Sequence, residues 1–402
     1  MAIAAKRGVF CVLGAVCVLL AIVGSSNCLE RTLEYAFNED CKELCKHTKV
    51  RIAHVRAVGP NDTLHYLWDF TENPTILIAV TSHTAKLQID WKKYLSRTPN
   101  SLDFTEKPLY TFGVAIERIL EFNDFYNTSR IDEVNDKNIT EINFENFQWH
   151  HENMTKHDNL VQFYTYADSY KDQYNNVRSG NISFLMHGFG TVNHSNITPR
   201  MLHSENATQV DIVFDHLQVR KDFLRSRLAL EFLVVSEISP NFTLNVDTKR
   251  KLDDEFTPGI FEVMDLSTPV INERSAYLQW RPVSYTDELR DVTDSVGSIF
   301  YPVKKATVDD YFNKNNLLYM YYGENLFNNL VQRMNVSLGA KGENYYKESQ
   351  YATWTFIAGY GTPPDERFSV MVMLIISIGV GVPMILIMTL GIWACLRRKN
   401  PS

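Results

Sequence analysis

Short apolar runs separated by turn formers dominate the interior of the chain. Segments 50–58, 64–70, 75–81, 85–91, 110–120, 160–166, 182–187, 228–236, 277–285 and 352–358 are each rich in β-branched or aromatic residues. Clusters such as Gly59-Pro60-Asn61 and Glu72-Asn73-Pro74 lie between many of them. This is the pattern of antiparallel strands. Thr75-Ile76-Leu77-Ile78-Ala79-Val80 is apolar on both faces, as expected of a central strand in a two-layer packing. The predicted fold is an all-β ectodomain of stacked antiparallel sheets, sandwich- or prism-like, with two subdomains as one arrangement and a seam near 123–159. Helical signals are weak: 38–46 and 309–313 read as single turns, and 317–334 fits helix and strand equally by periodicity. Pro363-Pro364 makes 359–367 a stiff stalk.

The two ends carry a different pattern. Lys6 and Arg7 precede an apolar stretch from Gly8 to Val23, and Gly24 and Ser26 stand at −3 and −1 of a cleavage site before Asn27. Residues 1–26 are thus expected to be a secretory signal peptide. A second uncharged run covers 368–396, between Arg367 and Arg397-Arg398-Lys399. At about 1.5 Å per residue it exceeds the roughly 30 Å of bilayer hydrocarbon. The basic residues beyond it place the tail 397–402 in the cytosol and 27–367 in the lumen, a single-pass type I topology. Within the run, Ser377, Gly379 and Gly381 offer a smooth strip for a neighbouring helix, and Pro383 adds a kink.

Composition removes some functions and sharpens others. Lys+Arg of 40 against Asp+Glu of 47 gives a net charge of −7, which disfavours nucleic-acid binding. Ten sequons begin at Asn61, Asn127, Asn138, Asn153, Asn181, Asn193, Asn196, Asn206, Asn241 and Asn335, seven of them between Asn127 and Asn206. After a signal peptide, such a density predicts a glycan coat on exposed loops and strand edges. Three cysteines remain in the lumenal part, Cys28, Cys41 and Cys45, once Cys11 and Cys17 leave with the signal and Cys395 sits at the edge of the span. A bridge from Cys28 to Cys41 or to Cys45 is expected in an oxidising compartment.

Catalytic motifs are sparse. There is no G-x-S-x-G elbow, P-loop, H-E-x-x-H or C-x-x-C. His187-Gly188-Phe189-Gly190 has the form of an oxyanion-hole loop, but without a nucleophile elbow it reads as a strand ending in a glycine turn. Asp253-Asp254-Glu255 is a conceivable Ca²⁺ pair offset by Lys249-Arg250-Lys251, and so a solvated loop. His150-His151-Glu152 lies among the sequons and reads as a glycosylated loop. No catalytic residue, cofactor or metal is assigned.

Three motifs carry a resemblance: His54-Val55-Arg56-Ala57-Val58-Gly59 running through Asn61-Asp62-Thr63 to Leu64-His65-Tyr66-Leu67-Trp68; Asp253-Asp254-Glu255-Phe256-Thr257-Pro258; and Gln279-Trp280-Arg281-Pro282-Val283-Ser284-Tyr285. With the order of signal, sequons and C-terminal span, the chain resembles the glycosylated lysosomal membrane protein family over nearly its whole length. The resemblance implies a non-enzymatic lysosomal membrane protein. It implies an accessory subunit that shields a major-facilitator lysosomal transporter, major facilitator superfamily domain-containing protein 1, from proteolysis and supports its localisation. A lysosomal or surface hydrolase with an unrecognised site, or a glycoprotein ligand receptor, are the competing classes. The tail Arg397-Arg398-Lys399-Asn400-Pro401-Ser402 lacks the tyrosine-based sorting signal typical of the family. Trp280, Arg281 and Tyr285 are expected to be structural or partner-facing. Alternation along one strand would put Trp280 and Pro282 on one face and Gln279, Arg281, Val283 and Tyr285 on the other.

Overall fold

The computed structural model describes residues 30–46, 48, 50–253, 259–308, 310, 312–365, 375 and 377–399. Two antiparallel sheets lie face to face. The first runs in the order Thr32–Phe37, Ile52–Val58, Thr63–Asp69, Thr75–Thr81, Tyr110–Asn123, Ser226–Ser236, Leu330–Leu338, Ser295–Phe300 and Val283–Tyr285. The second runs Thr155–His157, Leu160–Lys171, Val177–Phe189, Ala207–Asp215, Tyr351–Tyr360, Ala276–Trp280, Gly259–Ser267 and Asn245–Asp253. The expected all-β fold of stacked antiparallel sheets is what the described residues form.

Side chains from both inner faces make one continuous core that includes Trp68, Phe112, Phe184, Phe232, Trp280 and Trp354. The Trp354 ring lies 5.0 Å from Phe232 and 5.9 Å from Trp280. The first sheet is also covered on its outer face. There a second apolar cluster gathers Leu67, Leu77, Ala115, Leu233 and Val235 beneath the helices Trp91–Leu95 and Leu317–Tyr322. Thr63–Asp69, Thr75–Thr81 and Ser226–Ser236 are therefore buried at every position, which is why their sequences do not alternate. Close approach of the second helix requires a glycine beneath it. A Cβ on Gly113 would lie 2.2 Å from Leu318 Cδ2.

The stretch 123–159 joins the two sheets, with Ile139–Ile142 pairing on the first and Phe147–His151 and Thr155–His157 on the second. The ambiguous segment 317–334 divides between the two readings, into the helix Leu317–Tyr322, a 3₁₀ turn Gly323–Asn328 and the start of the strand Leu330–Leu338. Four expectations need correction. Segment 277–285 is two strands that break at Arg281-Pro282 and belong to different sheets, since proline has no N–H for a ladder. The supposed stalk begins later, because Gly359 and Tyr360 still belong to the strand Tyr351–Tyr360. Of the turn read over 309–313, Asp310, Phe312 and Asn313 are not helical. The disulfide joins Cys41 to Cys45, not Cys28 to either. A 3₁₀ turn over Lys42–Cys45 brings their Cα atoms to 5.6 Å, within bonding range, and Cys28 lies outside the described residues.

Candidate functional surface

None of the ten sequon asparagines is buried. Asn61, Asn138, Asn153, Asn193, Asn196 and Asn241 are exposed; Asn127, Asn181, Asn206 and Asn335 are half-buried. Seven occupy turns and connections, and Asn181, Asn193 and Asn335 sit within the strands Val177–Phe189, Asn193–His194 and Leu330–Leu338. Asn206 Oδ1 accepts a hydrogen bond from Arg31 Nε at 2.7 Å, and Asn127 Oδ1 accepts from Arg227 Nη2 at 3.0 Å.

The weak chemical motifs resolve into structure. His187 and Gly188 are strand residues paired with Gln209 and Thr208. Burial holds the His187 imidazole down at about 4. His150 and His151 are consecutive in a strand and face opposite sides. His150 stacks on Tyr166, whereas His151 Nδ1 meets Thr165 Oγ1 at 2.8 Å and its ring stacks on Phe163. Asp253 ends the strand Asn245–Asp253, and Asp254 and Glu255 lie outside the described residues. Among the described residues, no group of three or more His, Cys, Asp or Glu is placed to hold a metal ion.

Among the described residues, two grooves hold no unengaged pair of carboxylates. One of about 290 Å³ is lined by Glu121, Asp172, Asp222, Arg178 and Arg220. Its carboxylates are already engaged: Asp172 by Arg178 at 2.7 Å, Asp222 by Arg220 at 2.5 Å, and Glu121 by the Arg220 backbone N–H at 2.9 Å. A second, of about 850 Å³, is lined by Phe70, Trp149, Arg51, His151 and Lys171, and Glu145 is its one carboxylate. Neither presents the paired groups that hydrolysis needs.

A chain of polar side chains that the sequence did not disclose runs beneath the outer layer of the first sheet. Glu39 Oε2 lies 2.8 Å from His54 Nδ1, His54 Nε2 lies 2.9 Å from His65 Nδ1, and His65 Nε2 lies 3.0 Å from Thr81 Oγ1. Burial, reinforced by the charges of His54 and Arg56, pushes the His65 pKa down to about 3. The hydrogen bond from His54 holds the Glu39 carboxyl below its usual range. Although carboxylate, imidazole and hydroxyl follow in series as in a nucleophile relay, Thr81 is fully buried between strands, out of reach of any substrate.

Trp280 is fully buried in the core and Tyr285 nearly so. Arg281, at the break between sheets, places its guanidinium 4.1 Å from the centre of the Phe261 ring. Gln279 donates to the Asp265 carboxylate at 2.8 Å, which Lys249 also pairs at 2.9 Å. Asp365 meets Lys251 at 3.0 Å, so the chain leaving the last strand is tied to the hairpin of Asn245–Asp253 and Gly259–Ser267. Arg281→Ala should therefore cost about 1–2 kcal/mol of stability through the lost cation–π contact. Thermal unfolding of the purified protein measures it, and an unchanged midpoint would assign Arg281 no internal role.

Beyond Asp365, Ser377, Gly379 and Gly381 fall in a π-helical turn, Ser377–Gly381, which leads into the helix Val382–Lys399. A wider turn just before Pro383 relieves the clash of its ring with the preceding carbonyls. A Cβ on Gly379 or Gly381 would meet nothing within 4 Å. Among the described residues no helix is long and apolar enough to cross a membrane; of the expected span, 368–374 and 376 lie outside them.

The sequence reasoning missed the buried pair Arg227–Asp124 and the buried Glu117. A tandem Glu117-Arg118 inside an otherwise apolar strand was a visible signal for the second. Nothing in the sequence joins Asp124 to Arg227.

A family model described as "Glycosylated lysosomal membrane protein" matches residues 51–401. Similar proteins include glycosylated lysosomal membrane protein A of Xenopus laevis, 28% identical over 397 residues, covering 96% of this chain and 95% of that protein. Protein B of the same species is 28% identical over 348 residues, covering 85% and 84%. The Homo sapiens protein of that name is 23% identical over 359 residues, covering 87% and 85%.

Proposed function

The chain belongs to the glycosylated lysosomal membrane protein family, and from that premise we propose that it is a non-enzymatic accessory subunit that shields a major-facilitator transporter in the lysosomal membrane. The observation that carries the reading is the accessibility of all ten sequons on one closely packed β domain. Such a domain offers a glycan-bearing surface and keeps its ladders and apolar side chains away from proteases. Membership of the family supplies the lysosomal membrane. The signal at 1–26, the span at 368–396 and the cytosolic tail 397–402 supply the orientation, with the β domain in the lumen. In the span, Gly379 and Gly381 leave room for a partner helix.

Affinity capture of the full-length protein from gently solubilised lysosomal membranes tests this reading. A multi-span major-facilitator protein should co-purify, and it should be degraded faster in cells that lack the subunit or after enzymatic removal of the glycans. Replacing Gly379 and Gly381 by Leu should reduce recovery without blocking membrane insertion. Normal turnover of every such transporter in cells without this protein would overturn the proposal.

A further inference from the structure

The turn after the strand Tyr110–Asn123 bears two aromatic rings that the fold leaves uncovered. Phe125 is 62% exposed and Tyr126 81% exposed, and they meet edge to face at 5.3 Å. Exposed rings usually mark loose loops, yet this turn is tightly held. The Asp124 carboxylate accepts the N–H groups of Thr128 and Ser129, each at 2.9 Å, and pairs with the fully buried Arg227. The Asn127 N–H closes the turn on Asp124 O at 3.1 Å.

Asn127 is the acceptor of the sequon Asn127-Thr128-Ser129, and its side chain is fixed. Oδ1 accepts from Arg227 Nη2 at 3.0 Å and from the Gly342 N–H at 3.3 Å. A carboxamide that turns its oxygen to these two donors directs its nitrogen away from them. That leaves Nδ2, the atom that carries an N-linked sugar, free of those donors, on a turn whose two preceding residues are the exposed rings. Of the ten sequons, this one alone has a Phe, Tyr or Trp at either of the two positions before the asparagine.

We propose that the first N-acetylglucosamine on Asn127 stacks its apolar face on Phe125, with Tyr126 beside it, so that this glycan is an ordered part of the domain. In the attachment, Asn127 Nδ2 forms a bond to the anomeric carbon of a lipid-diphosphate-linked oligosaccharide. The bond from that carbon to the phosphate oxygen breaks, the amide gives up a proton, and the lipid diphosphate leaves. The stacked sugar removes exposed aromatic surface from water, and the fixed carboxamide lowers the entropy lost on docking. Arg225, 5.7 Å from the Phe125 ring centre, holds that ring in place by donating to its backbone carbonyl. The inference rests on the glycosylated-lumen reading and adds a role for one glycan.

The test uses the full-length glycoprotein and three variants. Ser129→Ala abolishes the sequon with little other cost, because Ser129 Oγ is buried without a hydrogen-bond partner among the described residues. Asn127→Gln would instead disturb Arg227. Phe125→Ala removes the platform, and the third variant combines the two changes. Release of each glycan by peptide N-glycosidase from the native protein is followed site by site, together with the melting temperature. The Asn127 glycan should be released several-fold more slowly than those on Asn138 and Asn241, and Phe125→Ala should erase that difference. Each single change should lower the melting temperature, and the double variant should fall no further than Ser129→Ala alone. An unglycosylated Asn127 beside occupied sequons, release as fast as at Asn138, or additive losses would overturn the inference while leaving the coat intact. Absence of glycan at every sequon would remove the coat as well.

Discussion

Arg227→Met should lower the stability of the β domain by about 3–5 kcal/mol, the cost of leaving a buried charge without its partner. Arg227 and Asp124 are 0% and 1% exposed and joined at 2.9 Å between Nε and Oδ2. The other guanidinium nitrogens donate to the carbonyls of Asn344 at 3.0 Å, Ala340 at 3.2 Å and Glu343 at 2.9 Å, and to Asn127 Oδ1. One side chain thus ties together the turn at 124–129, the strand Ser226–Ser236 and the loop 340–344. Its room depends on Gly339, whose backbone has φ of 95° and whose Cβ would lie 2.2 Å from Arg227 Nη1. Methionine fills the volume but satisfies none of these acceptors, and Asp124 keeps its charge or takes up a proton at a cost. Arg227→Lys retains the charge without the planar fork, so its loss should be smaller. Thermal and denaturant unfolding of the purified glycoprotein give both values. A loss below about 1 kcal/mol for Arg227→Met would mean that the pair is open to water and not the anchor described.

The strands legible in the sequence were those whose burial is two-sided or cleanly alternating. Thr75–Thr81 was read to the residue, because seven buried positions in succession suit neither a surface strand nor a short helix. Thr32–Phe37, Ala207–Asp215 and Asn245–Asp253 were not read. Thr32–Phe37 and Asn245–Asp253 present mostly exposed positions and are fixed by tertiary pairing, whereas Ala207–Asp215 is buried along most of its length but has its apolar run interrupted by the buried Thr208, Gln209 and Asp211. The break at Arg281-Pro282 was signalled by the proline and passed over in favour of the apolar run around it. The Cys41–Cys45 bridge depends on a local turn that no spacing rule discloses. Of the functional surface, the sequons were fully legible, since a three-residue motif defines them, whereas the exposure of Phe125 and Tyr126 beside Asn127 shows only in the folded turn. The relay Glu39–His54–His65–Thr81 was not. It joins neighbouring strands and a loop whose register only the folded sheet sets.

Glu117 is where acid should help this domain. The ladder pairs Glu231 with Arg118 and Phe232 with Ile116, which leaves Glu117 as the extra residue of a bulge, with Asn73 Nδ2 donating to its carbonyl at 2.9 Å. Its carboxyl is buried, and neither oxygen makes a well-formed hydrogen bond among the described residues. Burial raises its pKa to about 7 against the lowering influence of Arg333. A carboxyl titrates near 4.5 in the unfolded chain, so the folded state binds more protons between about pH 4.5 and 7. The stability that Glu117 contributes is therefore complete below 4.5 and is lost as pH rises through 7. The buried imidazoles work in the other direction. His65 and His203 are held at about 3 and His151 and His187 at about 4, so their contribution is complete above 6.5 and is lost as pH falls toward those values. Four imidazoles outweigh one carboxyl, so among these groups stability falls as pH drops from about 6.5 toward 4, and Glu117 makes that fall shallower. Glu117→Gln keeps the shape of the side chain and removes the ionisation. Relative to the parent protein it should gain about 3 kcal/mol between pH 4.5 and pH 8, the equivalent of the lost shift, whatever its offset at a single pH. Denaturant unfolding of both proteins across that range measures the difference, and parallel profiles would show that Glu117 is ionised throughout and solvated by a route absent from this fold.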